Sequence, residues 1–411
     1  MTNTANQYQD KKHLVIVGGG YAGFWSALSA VRQSRELNKA SDLEITLINS
    51  DNYFTMRPRL YEVSLEGTRV ELDRYLKPLQ VNQIQGRTES INAENNELSV
   101  FTANGILNIP YDYLILATGS SLKAVNLPGI SHTFNNDTFN GAKHLEDHMI
   151  KLAQNNFENE GDTTFVVAGG GFTGLETVTA IEEKAKLLQE KLSATVASFR
   201  IVMVEKSDKV ASFYSSDSQK YIVETLKAKN IEVITNAAVV GIEPDAVTLS
   251  NGERIPTSTV IWTAGLTASP LTSCFKGSKD HLNRLSVDQH LKLPGYDNVI
   301  IAGDVANVTV SEGRSAVMSC QFSQFQGRWA GHNAVNDLFN APLKPYQQTG
   351  YNTCLDLGSG HAIVTDGWTR DLRHKGEEAK KHKFWISNDL IYPPKDIEQA
   401  VAASFPKIPQ L

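Results

Sequence analysis

Six glycines carry the most readable chemistry in this chain. Gly18, Gly20 and Gly23 stand in the order Gly-x-Gly-x-x-Gly, and Gly169, Gly171 and Gly174 repeat it. In that spacing the first glycine permits a tight turn, the second lets backbone approach a pyrophosphate, and the third lets the following helix lie close to the preceding strand. The free N–H groups and positive dipole end of such a helix favour phosphate. Downstream of each turn a polar residue closes an apolar run: Asn49 follows Ile45-Thr46-Leu47-Ile48, and Glu205 follows Ile201-Val202-Met203-Val204. Each stands where ribose hydroxyls need a hydrogen-bond partner, and a carboxylate binds them more tightly than a neutral amide. A carboxylate also repels a 2′-phosphate, so Glu205 favours NADH over NADPH. Lys206 beside it softens that preference and keeps NADPH open. Two complete turns imply two bound dinucleotides.

The elements that must hold these residues surround them. Leu14-Val15-Ile16-Val17 is a β-type run directly before the first turn, and Phe24 to Arg32 continues as helix. Phe165-Val166-Val167-Ala168 precedes the second turn, and Glu176 to Leu192 is a long run of good helix formers. Val81 to Ile109 alternates short apolar runs with turn signals and predicts a small antiparallel patch. Two further strands end alike, Leu114-Ile115-Leu116-Ala117-Thr118-Gly119 and Val260-Ile261-Trp262-Thr263-Ala264-Gly265. A third, Val299-Ile300-Ile301, delivers Gly303-Asp304 into a loop. Composition is that of an ordinary globular protein, with 20% charged and 41% hydrophobic residues in 411. The net charge of −6 excludes general nucleic-acid binding. No apolar run approaches the ~18–20 residues that span a bilayer. The polar N-terminal run has no signal-peptide core, and Cys274, Cys320 and Cys354 form no CxxC and no disulfide framework. A cytoplasmic address is expected, at or near the inner face of the membrane if the tail meets lipid. No metal site is expected.

The order of these elements, with Asn52-Tyr53 and Pro58-Arg59-Leu60-Tyr61-Glu62-Val63, resembles the type II NADH:quinone oxidoreductases and their relatives in the FAD/NAD(P)-dependent pyridine nucleotide-disulfide oxidoreductase superfamily. The resemblance implies an α/β fold of two Rossmann-like domains, the glutathione-reductase-like FAD/NAD(P) fold. The second domain is inserted into the first, and a small C-terminal region follows. The boundaries read 1–125 and 285–342 for the FAD domain, 126–284 for the NAD(P)H domain and 343–411 for the tail. FAD is then the cofactor of the first turn. The segment with Arg57 and Pro58 passes beside the flavin, and Thr118-Gly119 marks where the chain leaves the flavin domain, with Gly265 its counterpart in the second. Gly303 lets backbone approach the pyrophosphate, while Asp304 accepts hydrogen bonds from the ribityl chain. Glu176 becomes a candidate for a polar contact near the nicotinamide or for proton supply.

The helix opening near Cys320 is expected to aim its N-terminus at the flavin, where it stabilises negative charge. Quinone reductases carry Ala-Gln-x-Ala-x-Gln here, lining the quinone pocket. This chain keeps Gln321 but has Cys320, Ser323 and Phe325 at the other three positions. The first reading is therefore an FAD enzyme passing electrons from NADH to a quinone or quinone-like acceptor. A second is an NAD(P)H-dependent reductase of a protein carrier or soluble small molecule. A third is a redox-sensing flavin/NADH-binding protein of the apoptosis-factor-like kind. Thiol mechanisms are disfavoured: disulfide reductases of this architecture need a cysteine pair on the early helix, and the related peroxidases need one between Asn49 and Tyr61. Neither is present, and Cys320 has no evident cysteine partner. In the tail, Lys375, Lys380, Lys381 and Lys383 read as a solvated face or as weak contact with anionic lipid. A homodimer is left open.

Overall fold

The computed structural model describes residues 11–193, 198–348 and 350–407. Most of the polar N-terminal run lies outside these described residues.

The chain begins with β1 (Lys12–Val17), α1 (Tyr21–Glu36) and β2 (Leu43–Asn49), followed by β3 (Asn82–Gln85) and β4 (Tyr113–Leu116). Leu14, Val15 and Ile16 are fully buried, which is why an unbroken apolar run reads as a central parallel strand. The inserted unit follows with α2 (Phe139–Gln154), β5 (Thr164–Ala168), α3 (Phe172–Leu192), β6 (Arg200–Val204), α4 (Ser216–Ala228), β7 (Glu232–Ile234) and β8 (Thr259–Trp262). Its parallel sheet has the order β7-β6-β5-β8. The chain then returns as β9 (Val299–Ile301), which pairs with β4 and completes a first sheet of order β9-β4-β1-β2-β3, parallel throughout. Outgoing Ser120–Leu122 and returning Leu266–Ala268 pair antiparallel, so both crossings run side by side.

Helix α5 (Cys320–Leu338) then packs along α1. Small residues allow the approach. A Cβ on Gly327 would lie 2.3 Å from the Ala22 carbonyl oxygen, and one on Gly331 would lie 2.1 Å from that of Ser26. The tail forms an antiparallel meander of β10 (Asn352–Asp356), β11 (Ala362–Asp366) and β12 (Asp371–Lys375), then α6 (Gly376–Trp385) and α7 (Ile397–Ala403). It joins the two halves: Leu355, Leu357 and Ile363 enter the core of the inserted unit, whereas Tyr351 and Trp368 pack into that of the first.

Two readings from the sequence need correction. Val81 to Ile109 is not one antiparallel patch. Its first strand, β3, is the edge of the parallel sheet, and only Arg87–Asn92, Glu97–Thr102 and Gly105–Pro110 form a meander. An edge strand is covered on one side only, so the polar sequence Asn-Gln-Ile-Gln suffices for it. The lysines of the tail are also not one solvated or lipid-facing set. Lys383 is buried and Lys380 turns inward, because each has a carboxylate waiting in the interior.

Candidate active site

The two glycine turns repeat one geometry. Gly18 has φ +109° and Gly169 has φ +114°, values that side chains rarely tolerate. A Cβ on Gly23 would fall 1.7 Å from the Gly18 carbonyl oxygen, and one on Gly174 would fall 1.8 Å from that of Gly169. The middle glycines differ: a Cβ on Gly20 or Gly171 would meet nothing within 4 Å. These two residues are the N-caps of α1 and α3, so each helix start has an open approach. The strand-end residues complete the parallel. Asn49 Oδ1 accepts from the Gly19 N–H at 2.9 Å, and Glu205 Oε2 accepts from the Gly170 N–H at 2.7 Å. The Asn49 amide donates to the carbonyl of Asp51 at 3.0 Å. Glu205 Oε1 accepts from the Ser207 N–H at 2.8 Å. Burial opposes ionisation of Glu205, but the N–H groups of Ser207 and Gly170 outweigh it and hold the carboxyl below its ordinary pKa. Glu205 is therefore a carboxylate at neutral pH.

Between the turns, several of the flavin-side candidates converge. Asp304 Oδ2 accepts from Ser120 Oγ at 2.7 Å, and Oδ1 accepts from Ser323 Oγ at 3.1 Å. Arg57, which begins a single turn with Pro58 and Arg59, donates from Nη1 to Ser120 Oγ at 2.8 Å and lies 3.7 Å from Asp304 Oδ2. Its Nη2 donates to Asp137. Gly303, at φ +78°, donates its N–H to Gln326 Oε1 at 2.7 Å, tying this loop to α5. Thr118 Oγ1 is buried with no hydrogen-bond partner, and Gly119 beside it is open to any approach within 4 Å. An orphaned hydroxyl, an open glycine and an open helix start are what a phosphate-bearing cofactor would satisfy. The residues present fit FAD. Gly265 lies apart from this convergence, exposed on the crossing ribbon, where its carbonyl accepts from the Lys123 N–H at 3.1 Å.

Glu176 sits in the second turn of α3, which begins at Phe172, earlier than the sequence suggests. It is not a solvated carboxylate on a helix start. Its Oε1 accepts from Lys383 Nζ at 2.7 Å and from the Asp356 N–H at 3.1 Å, and both side chains of the ion pair are almost wholly buried. Burial pushes the Glu176 carboxyl up to about 7 against the pull of Lys383. For Lys383 burial favours the neutral amine, but Glu176 outweighs it and keeps the ammonium. Beside the pair, Asp356 accepts from Tyr61 at 2.9 Å and from Lys380 at 2.5 Å. A cleft of about 220 Å³ opens here, bordered by Arg59, Glu62, Glu183, Lys380 and Phe384 among others.

Gln321 lies in the first turn of α5, half-buried, with no side-chain hydrogen bond among the described residues. Its neighbour Cys320 feels the charges of Lys383, Asp304 and Glu176, and Ser323 in the same turn donates to Asp304. Burial pushes the Cys320 thiol up to about 11, so it is not a thiolate nucleophile at neutral pH. Reading the sequence missed Ser120, Asp137, Asp356 and Lys383. Ser120 follows Thr118-Gly119 and could have been read as part of that turn, whereas the others carried no local signal.

These features define a two-dinucleotide oxidoreductase architecture. The chain belongs to the pyridine nucleotide-disulphide oxidoreductase family, whose model matches residues 12–327. It is 34% identical over 399 residues to a NADH dehydrogenase-like protein of Mycobacterium tuberculosis, covering 96% of this chain and 98% of that one. It is 26% identical over 382 residues to a type II NADH:quinone oxidoreductase of Staphylococcus saprophyticus, covering 89% and 92%. In fold it is similar to NDH2 of Plasmodium falciparum, solved in complex with NADH, at a TM-score of 0.80 and 16% identity over 96% of this chain and 97% of that chain. Among the described residues no helix is long and apolar enough to cross a membrane.

Proposed function

We propose that this protein is an FAD-dependent NADH dehydrogenase that passes two electrons to a quinone or quinone-like acceptor. The observation that carries this reading is the repeated geometry at Gly18–Gly23 and Gly169–Gly174, each with an open helix start and a polar strand-end residue on the adjoining N–H. The names of the mycobacterial and staphylococcal relatives support it. In this reading FAD is held by the first turn, Asn49, Arg57, Pro58, Thr118-Gly119 and Gly303-Asp304. NADH is held by the second turn, Glu205 and Gly265. The domain limits 1–125, 126–284, 285–342 and 343–411 belong to the same proposal. FAD supplies a ring that accepts hydride and releases electrons.

The chain's own residues supply position, charge and protons. The α5 N-terminus places its free N–H groups where negative charge develops. Gln321 offers an uncommitted amide to the acceptor. Glu176, titrating near neutrality beside the Lys383 ammonium, holds a proton that the reduced acceptor needs. Glu205 selects against the 2′-phosphate of NADPH. The cleft beside the buried pair is bordered by charged Arg59, Glu62, Glu183 and Lys380 together with apolar Val63, Ala180 and Phe384, a lining open both to a quinone ring and to a more polar acceptor. Anaerobic titration of the purified yellow protein with NADH should bleach the flavin, and a menaquinone analogue should restore the colour with steady turnover. Flavin that NADH does not bleach overturns the reading, and bleached flavin that only a soluble acceptor reoxidises moves it to the second acceptor class.

A further inference from the structure

We infer that Asp137 is a positioning residue: carried by the inserted unit, it holds Arg57 of the first unit against Ser120 and Asp304, so that the seat of one half sets the grip of the other on its cofactor. The inference rests on the assignment of Asp304 to the flavin site. Arg57 is the one cation within salt-bridge reach of either Asp137 or Asp304 among the described residues. Both carboxylates are well buried, with side chains 12% and 13% exposed, so each depends on that guanidinium for its charge balance. The guanidinium is divided between them. Nη2 serves Asp137 while Nη1 serves Ser120 and faces Asp304, a split that a planar fork makes and an ammonium does not.

Asp137 is itself fixed to the nucleotide-binding frame of the inserted unit. Phe134 laces into the second sheet, its N–H donating to the Val260 carbonyl and its own carbonyl accepting from Trp262. Asn136 donates to Thr177 Oγ1 at 2.7 Å, on α3 next to Glu176. Thr138 caps α2, its hydroxyl accepting from the Gly141 N–H at 3.0 Å. On the other side Ser120 and Ser323 hold both oxygens of Asp304, and Ser323 belongs to the first turn of α5. A path therefore runs from α3 by hydrogen bond to Asn136, along the chain to Asp137, and by polar contacts through Arg57 and Ser120 to Asp304 and α5. No other ion pair described here joins the inserted unit to the Asp304 loop.

The test compares the FAD-loaded wild type with Asp137→Asn, Arg57→Lys and the double variant. FAD release is followed by the rise in free-flavin fluorescence on dilution, which needs no turnover. Bleaching by NADH is followed in a single anaerobic turnover. Asp137→Asn should release FAD about tenfold faster, and bleach about tenfold more slowly at saturating NADH, the size expected for one lost charge-assisted hydrogen bond. The NADH concentration for half-maximal bleaching should stay within about twofold, because the second glycine turn and Glu205 are untouched. Arg57→Lys should match Asp137→Asn, and the double variant should be no worse than Arg57→Lys alone. Wild-type release and bleaching in Asp137→Asn overturn the inference, as do effects that multiply in the double variant or that fall on NADH half-saturation instead. If Asp137→Asn does not fold, Arg57→Lys carries the test, and wild-type behaviour there overturns it. A wild type that NADH cannot bleach sinks the proposed function, while the release measurement still judges Asp137.

Discussion

Replacing Lys383 with Met removes the ammonium 2.7 Å from Glu176 Oε1 and leaves a carboxyl side chain 5% exposed without a cation. Breaking a buried pair from one side costs about 3–5 kcal/mol while the remaining group stays charged. Glu176 escapes that cost by taking a proton, so the loss must depend on pH. Burial already pushes its carboxyl from 4.5 up to about 7 with Lys383 in place, an interval worth about 3 kcal/mol. Without Lys383, which opposes the effect of burial, the carboxyl moves higher still. A carboxyl raised on folding is neutral in both states below the unfolded value of about 4.5, and stability is lost as pH climbs from there through the folded value. In Lys383→Met that loss extends further up the pH scale than in wild type. The FAD-loaded variant should melt close to wild type at pH 5. It should melt roughly 6–12 °C lower at pH 8.5, taking the lower end, about 3 kcal/mol, of the cost of a broken buried pair at about 2–4 °C per kcal/mol. Thermal melts followed by tryptophan fluorescence read this directly. Adding Glu176→Gln should remove the pH dependence that Lys383→Met introduces, since the carboxyl left without its cation is gone, while Asp356 beside it keeps Lys380. An equal drop at pH 5 and pH 8.5, or a double variant that keeps the slope, would refute the account of this pair as a proton-sharing site.

Three further outcomes follow from the site. Asp304→Ala should yield protein that loses flavin during purification, read as the ratio of absorbance at 450 and 280 nm, and full yellow colour would remove Asp304 from the flavin site. Glu205→Ala should raise the apparent Michaelis constant for NADH and narrow its advantage over NADPH about tenfold, the value of one charge-assisted contact; an unchanged ratio would take Glu205 out of the ribose site. Gly327→Ala sets a methyl 2.3 Å from the Ala22 carbonyl, where two backbones meet and neither can give. It should cost about 1–3 kcal/mol in a melt or denaturant titration, and wild-type stability would mean that α1 and α5 separate freely.

What the sequence revealed and what it hid divide along range. The glycine turns, Asn49 and Glu205 are legible because strand, turn and helix lie within one short stretch, and the turn admits only certain residue types. Asp304 is legible for the same reason, at the end of an apolar strand. Glu176 is visible as a polar residue on a helix, but its partner is not. Lys383 lies 207 positions downstream in a run of lysines that looks solvated, and only the folding of α6 over β10 turns it inward. Asp137 is equally silent, since a lone Asp before a helix reads as a cap until Arg57 is brought to it across 80 positions. The error at β3 has a different source: an edge strand needs too little apolar surface to announce itself.

The nesting of one unit inside the other sets the order in which their elements are made during translation. Every strand of the inserted sheet has been synthesised once the ribosome passes Trp262, but the outer sheet still lacks β9, and α1 still lacks the surface of α5. Helix α1 is buried from Tyr21 to Ser34 in the finished molecule, so Phe24, Trp25, Leu28 and Val31 lack their covering while it waits. The later-made module therefore has its full set of strands first, while its core waits for Leu355, Leu357 and Ile363 of the tail and the earliest-made helix waits for α5. A nascent chain stalled before Leu338 would hold a second sheet whose core still lacks Leu355, Leu357 and Ile363, tethered to an equally unfinished partner, a state exposed to aggregation.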